Sequence, residues 1–365
     1  MIFYYLIFFS LFIFSAFEIK YNNKRFSHKA TMLFLLLFFI LSFVRWEVGT
    51  DWDTYYRYYN GIKGNLNNVF YLKYNKFEIG YEIINNFAKS ISNSYTFTLF
   101  LQALIIYYLW AKSLIRMSVY PLLSLFIFFC MSFASIFFVR QNIAMAILVF
   151  SVYYINKKQW KTFLSLVLLA FIMHRSAIVF LIAYPVYHKY YSANKILFIL
   201  ISAVLIGIFI GQSLFSYLGA LGMGVISTKI EYYMSQGEKD HFSDFSITQI
   251  LIKGSINRLF LFFIYMFVLN KFRKKNKLIN GLINLNILGM ILYFVLTPIS
   301  LSLGRVTAYF DLLQLFIIPY VFYYLRDNNN KIILYTIISA YLALRLYSAI
   351  YTFKEAFIPY KTIIF

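Results

Sequence analysis

The stretch TMLFLLLFFILSF, residues 31–43, carries neither a charge nor a proline, and it fixes more about the fold than any other feature of the chain. Runs of this kind recur at about 2–17, 30–44, 97–111, 121–138, 141–155, 161–173, 177–187, 196–211, 256–270, 282–298, 306–325 and 332–350. A helix rising about 1.5 Å per residue needs about 20 residues to cross roughly 30 Å of hydrocarbon, and most of these runs approach that length. With 62% hydrophobic and 13% charged residues, the chain carries about half the charge of a soluble domain. The expectation is an all-α polytopic integral membrane protein with about 12 transmembrane segments. Residues 1–365 read as a single membrane domain, with no soluble domain, linker or fixed-period repeat. The first run has no basic flank and no small-residue cleavage site, so it reads as a retained helix and not a signal peptide. The single cysteine, Cys130, sits inside a hydrophobic run and excludes an intrachain disulfide or a Cys-rich metal site.

A net charge of +21 would ordinarily suggest nucleic acid. Here the basic residues fall in short clusters between hydrophobic runs, where the positive-inside rule accounts for them, so no nucleic-acid partner is expected. The rule also sets the topology. The runs at 161–173 and 177–187 are short enough to be one helix or two. Counted as two, with the N-terminus outside, they leave eighteen basic residues on cytoplasmic loops, from Lys20 to Lys331. Counted as one, they would place the cluster KFRKKNK, residues 271–277, outside. Two short segments meeting at Met173-His174-Arg175-Ser176 are therefore expected, with the turn below the membrane surface.

Two long extracytoplasmic loops remain, about 45–96 and 212–255. They hold nine of the thirteen acidic residues, namely Glu47, Asp51, Asp53, Glu78, Glu82, Glu231, Glu238, Asp240 and Asp244. Loops of that length are usually functional. The same topology brings Arg45 to Asp53, Arg140-Gln141-Asn142, His174-Arg175-Ser176, Arg258 and Gly304-Arg305 to the outer ends of their helices. Ionisable groups near membrane depth are costly and usually functional. An arginine fork matches carboxylate or phosphate, so several arginines on one cavity suggest a polyanionic ligand such as a lipid-linked pyrophosphate. Plainer readings stand beside these. Arg140 and Arg305 would snorkel, His174 would pack, and Asp311 would pair with Arg345 within the last two helices. The Tyr and Trp residues would form interface belts and core, and Gly49 would serve a turn needing positive φ. Glu78 and Glu82, at i and i+4, would share one face of an amphipathic outer helix. Nucleotide-binding, zinc-protease and serine-hydrolase signatures are absent, and no carboxylate group has metal-ligand spacing, so neither cofactor nor metal is expected.

Six stretches now combine: RWEVGTDWDTYY at 45–56, KFEIGYEIINNFAK at 76–89, FVRQNIAMAI at 138–147, FIMHRSAIVF at 171–180, GRVTAYF at 304–310 and the terminal IPYKTIIF. In this order the sequence resembles the EpsG-type family of bacterial exopolysaccharide proteins, within the broad Wzy-like polysaccharide polymerase class. Arg175 departs from the pattern, which would place a small residue or proline there. The resemblance implies a glycosyltransferase of the bacterial cytoplasmic membrane. Its substrate would be an oligosaccharide repeat unit on polyprenyl pyrophosphate, polymerised on the outer face into exopolysaccharide, capsule or O-antigen. A flippase and a chain-length regulator would be its partners besides membrane lipid. Such chemistry needs donors for charge building on the leaving pyrophosphate and a base for the acceptor hydroxyl. Arg140 and Arg305, with Arg45 as helper, are the candidates for the pyrophosphate. Asp51 is the first candidate for the base and His174 the second, Asp51 alternatively holding Arg45 in place. Gln141, Asn142, Tyr309, Trp52 and Glu78 are candidate substrate contacts. Two other classes remain: a flippase or exporter, which would spread basic groups across the membrane, and a membrane acyltransferase built on His174.

Overall fold

The computed structural model describes residues 1–64, 77–137, 140–209 and 247–363. The expected acidic residues Glu231, Glu238, Asp240 and Asp244 lie outside these. The described chain is almost wholly helical, with one antiparallel bridge, Arg45 to Thr362. Among the described residues, seven stretches are long and apolar enough to cross a membrane: Ile2–Tyr21, Lys24–Val44, Tyr95–Met117, Gln249–Phe272, Lys277–Leu296, Arg305–Tyr324 and Asn328–Thr352. The remaining expected segments are also helical but shorter, among them Pro121–Met131, Trp160–Met173 and Ala193–Phe209. Polar residues set several of the boundaries. Asn23, Asn276 and Asp327 each accept the backbone N–H three residues on, and so begin the helices at Lys24, Lys277 and Asn328.

The described residues form two compact units. The first comprises Met1–Leu181 and Ile318–Phe365. It holds α1 (Ile2–Tyr21), α2 (Lys24–Val44), α3 (Trp52–Gly61), α4 (Ile79–Ile91), α5 (Tyr95–Met117), α6 (Pro121–Met131), α7 (Arg140–Asn156) and α8 (Trp160–Met173). Among its described residues, the loop expected over 45–96 thus contains two helices of its own. Helix α6 is apolar all round and buried from Pro121 to Cys130, which makes it the centre of the unit. Its free N-terminal amides are met by Glu18 of α1, whose carboxylate accepts from Leu122 N at 3.1 Å and Leu123 N at 2.8 Å. Around α6 pack α1, α2 and the long helix Asn328–Thr352, while α7 packs on α5 and α8.

Helix α8 stops at Met173. His174 then adopts an extended conformation (φ −157°, ψ 116°), and a 3-10 helix, Arg175–Ile182, follows. The helix breaks where the two short hydrophobic runs meet.

The second unit, Ile182–Ile317, holds α9 (Ala183–Tyr187), α10 (Ala193–Phe209), α11 (Ile247–Leu269), α12 (Lys277–Leu296), the short helix α13 (Leu301–Gly304), a 3-10 turn (Arg305–Thr307) and α14 (Ala308–Asp311). Helix α12 is its hub, packed on α9, α10 and α14. Helix α11 begins at Ile247, nine residues before the expected 256. Gln249, Lys253 and Asn257 recur every fourth residue, so these polar groups form a stripe on a helix instead of a loop. Asp311 pairs with Arg258 of α11 and not with Arg345. Arg258 makes a bidentate contact with the carboxylate, also donates to Thr307 Oγ1 at 3.1 Å, and lies 3.6 Å over the Tyr293 ring. That geometry joins residues 53 apart in sequence.

Candidate functional site

Arg140 opens α7 and is gripped from several sides. Its Nε donates to Tyr55 Oη at 3.0 Å, and one terminal nitrogen donates to Glu78 Oε2. The guanidinium carbon sits 4.4 Å from the Phe77 ring centre and 5.4 Å from that of Tyr55, so the cation also faces aromatic rings. The other carboxylate oxygen of Glu78 lies 3.3 Å from His174 Nδ1. Tyr55 from α3, Glu78 from the start of α4, Arg140 from α7 and His174 from the end of α8 thus converge within the first unit. The cluster keeps limited access, with side-chain exposures of 21% for Arg140, 11% for Glu78 and 26% for His174.

Local sequence explains this convergence. Trp52, Tyr55 and Tyr59, at spacings of three and four, put one aromatic face of α3 against Tyr81 and Tyr95. Glu78 is the N-cap of α4, and Gly80 two residues on lets that helix approach the end of α8. A Cβ on Gly80 would come within 2.8 Å of Ile172 Cγ2 and Met173 Sδ. The close approach brings Glu78 beside His174. Burial disfavours the charged form of Glu78, but the adjacent His174 and the Arg140 charge outweigh it and hold the carboxyl down at about 2. Burial pushes the Tyr55 phenol up. The result is an arginine whose charge is balanced by one carboxylate, beside an imidazole whose Nδ1 edge is the buried one. Among the described residues no group of three or more His, Cys, Asp or Glu is placed to hold a metal ion.

Arg45 is turned inward and is 2% exposed. One of its terminal nitrogens donates to Val48 O at 3.2 Å and to Phe137 O. No carboxylate pairs with it among the described residues. It closes the turn at Gly49, whose φ of +110° is the positive value expected there, and a Cβ on that glycine would lie 3.1 Å from the Arg45 nitrogen. The C-terminal tail is laid along the same turn. Trp46 N donates to Lys361 O at 3.0 Å, Ile363 N to Val44 O at 3.0 Å and Gly49 N to Ala356 O at 2.9 Å.

A family model described as the EpsG family matches residues 30–362. The chain belongs to the EpsG family. Comparison with the curated proteins and with the solved structures returns no match. The EpsG family is associated with polysaccharide synthesis, and the described helices make this member a multi-pass membrane protein.

In this EpsG-family chain three of the residues singled out from sequence, Arg140, His174 and Glu78, stand together. Tyr55 joins them. It was not singled out, although its place on the aromatic face of α3 was readable. Asp51 is exposed at the N-cap of α3 and does not hold Arg45. Trp52 is 6% exposed, stacked on Tyr56 at 4.7 Å and edge-on to Trp46 at 4.8 Å. Gln141 is half-buried and Asn142 fully buried in α7. In the second unit Arg305 is exposed and Tyr309 is fully buried.

Proposed function

We propose that this EpsG-family chain polymerises oligosaccharide repeat units carried on polyprenyl pyrophosphate, at the outer face of the bacterial cytoplasmic membrane. The observation that carries the reading is the Arg140–Glu78–His174 cluster. It sets a cation suited to phosphate beside a base with a carboxylate behind it. The charge parity of the loops supports the outward orientation.

In the proposed reaction the pyrophosphate of the growing chain draws Arg140 away from Glu78. The acceptor hydroxyl oxygen bonds to the anomeric carbon, and the bond from that carbon to the pyrophosphate oxygen breaks with its electron pair. The lipid pyrophosphate leaves. The hydroxyl proton passes to His174 Nε2, the nitrogen not facing Glu78, and the carboxylate stabilises the imidazolium that forms. Arg305, the second arginine expected to meet phosphate, is exposed in the second unit. Gln141 retains access for a sugar hydroxyl, whereas Asn142, Tyr309 and Trp52 are buried. Asp51 is the alternative base. A flippase supplies the substrate, and a chain-length regulator acts on the product.

The test uses Arg140→Ala, His174→Ala, Arg305→Ala and Asp51→Asn, each at normal abundance in the membrane. Long polymer is expected to be lost in Arg140→Ala and reduced by about 10²–10⁴ in rate for His174→Ala, with Asp51→Asn active. Long polymer at full yield in both Arg140→Ala and His174→Ala would overturn the reading.

A further inference from the structure

The contacts of the C-terminal tail exceed what is needed to tether a chain end. Beyond the three backbone bonds to residues 44–49, Tyr360 Oη donates to Leu41 O at 2.7 Å, and Lys361 Nζ lies 2.7 Å from Glu47 Oε2. Phe357 is fully buried, and its backbone carbonyl accepts from Tyr4 Oη at 2.9 Å. Its ring lies 5.1 Å from that of Phe133 and 5.5 Å from that of Phe137. Phe137 is also the residue whose carbonyl Arg45 holds, and Arg140 follows three positions later. The tail therefore grips both the Arg45 turn and Phe137. Arg45 connects the two.

We infer that the tail segment Phe357–Ile363, acting through Arg45 and Phe137, positions Arg140 for its phosphate ligand. This rests on the reading of Arg140 given above. Arg45 and Phe357 are positioning residues in this account, and neither touches the ligand. An exposed tail that only shielded apolar surface would need neither the paired backbone nor a ring inserted beside Phe137. Reactive groups misplaced by about 1 Å lose rate or affinity by up to about a hundredfold, so a segment that fixes Phe137, three positions before Arg140, affects function from a distance.

The experiment uses the full chain purified in detergent, with farnesyl diphosphate as a soluble polyprenyl diphosphate probe. Its Kd is measured well below each variant's own melting temperature. The variants are Arg140→Ala, Phe357→Ala, Phe357→Leu and Ile363→Pro. Ile363→Pro removes one backbone donor from a side chain that is itself exposed, so it perturbs pairing without opening the core. Phe357→Ala and Ile363→Pro are expected to weaken binding roughly tenfold, with Phe357→Leu largely restored. If the melting temperature falls while Kd stays unchanged, the tail only stabilises, and the inference is overturned while the site reading stands. Should Phe357→Ala fail to fold, Ile363→Pro decides by the same criterion. If Arg140→Ala binds the probe as tightly as the natural chain, or if the natural chain does not bind it, the site reading fails and the inference falls with it.

Discussion

Replacing Glu78 with Gln keeps the side chain's shape and removes its charge, which isolates the coupling on which the site depends. The carboxyl is held at about 2 against an ordinary 4.5, and this corresponds to roughly 3 kcal/mol in favour of the ionised form. Both partners are only partly exposed, 11% for Glu78 and 21% for Arg140, so solvent screening removes a small part of it. Glu78→Gln should therefore cost about 2–3 kcal/mol at neutral pH, because His174 loses its carboxylate partner and Arg140 is left half-buried without a counter-charge. The assay is unfolding in mixed micelles of the natural chain, Glu78→Gln, Arg140→Met and the double variant. The double variant should cost less than the two singles together by about 1–2 kcal/mol, the remainder of the Glu78 effect belonging to His174. The pH dependence has a definite sign. The folded carboxyl lies below its unfolded value, so its stabilisation is complete above about 4.5 and is lost as pH falls toward about 2. The advantage of the natural chain over Glu78→Gln should shrink across that window. Additive single effects, or an advantage unchanged from neutral pH down to the lower end of the window, would refute the reasoning.

Other perturbations have equally definite directions. Gly49→Ala places a Cβ against Arg45 and Phe137 at a φ of +110°, and should cost about 1–3 kcal/mol in the same unfolding assay. Gly80→Val should push α4 off the end of α8, lowering polymer yield more than stability, as measured by chain length against membrane abundance. Arg258→Lys keeps the charge but loses the two-pronged contact with Asp311; a loss of about 1–2 kcal/mol is expected in the unfolding titration.

The helices were legible because bilayer chemistry writes them as long apolar runs, and the break at His174 because two runs were each too short to be a span. Arg140 and His174 were legible as polar groups at helix ends, and Glu78 as part of one face of an amphipathic outer helix. The partner of each was less so. Arg45 read as a phosphate ligand beside carboxylates, yet it is buried and bonded to the carbonyls of Val48 and Phe137. Carbonyl partners leave no trace in residue type. Asp51 read as the base from its neighbours in sequence, whereas the carboxylate that meets both arginine and histidine is Glu78, brought there by the approach at Gly80. Pairing of the tail with residues more than 300 positions away has no local signal, because a single bridge lacks the alternation of a sheet. The early start of α11 was hidden by polar residues whose four-residue spacing, and not their polarity, carried the information.

The central claim is that Arg140 serves polymerisation on the outer face. The most direct test replaces Arg140 with Ala at normal abundance in cells and locates the lipid-linked sugars by their susceptibility to a glycan-cleaving enzyme that cannot cross the membrane. The account predicts single repeat units accumulating in the outer leaflet, open to the enzyme, with long chains gone. Single units trapped in the inner leaflet would mark a flippase, and either that result or undiminished long chains would contradict the account.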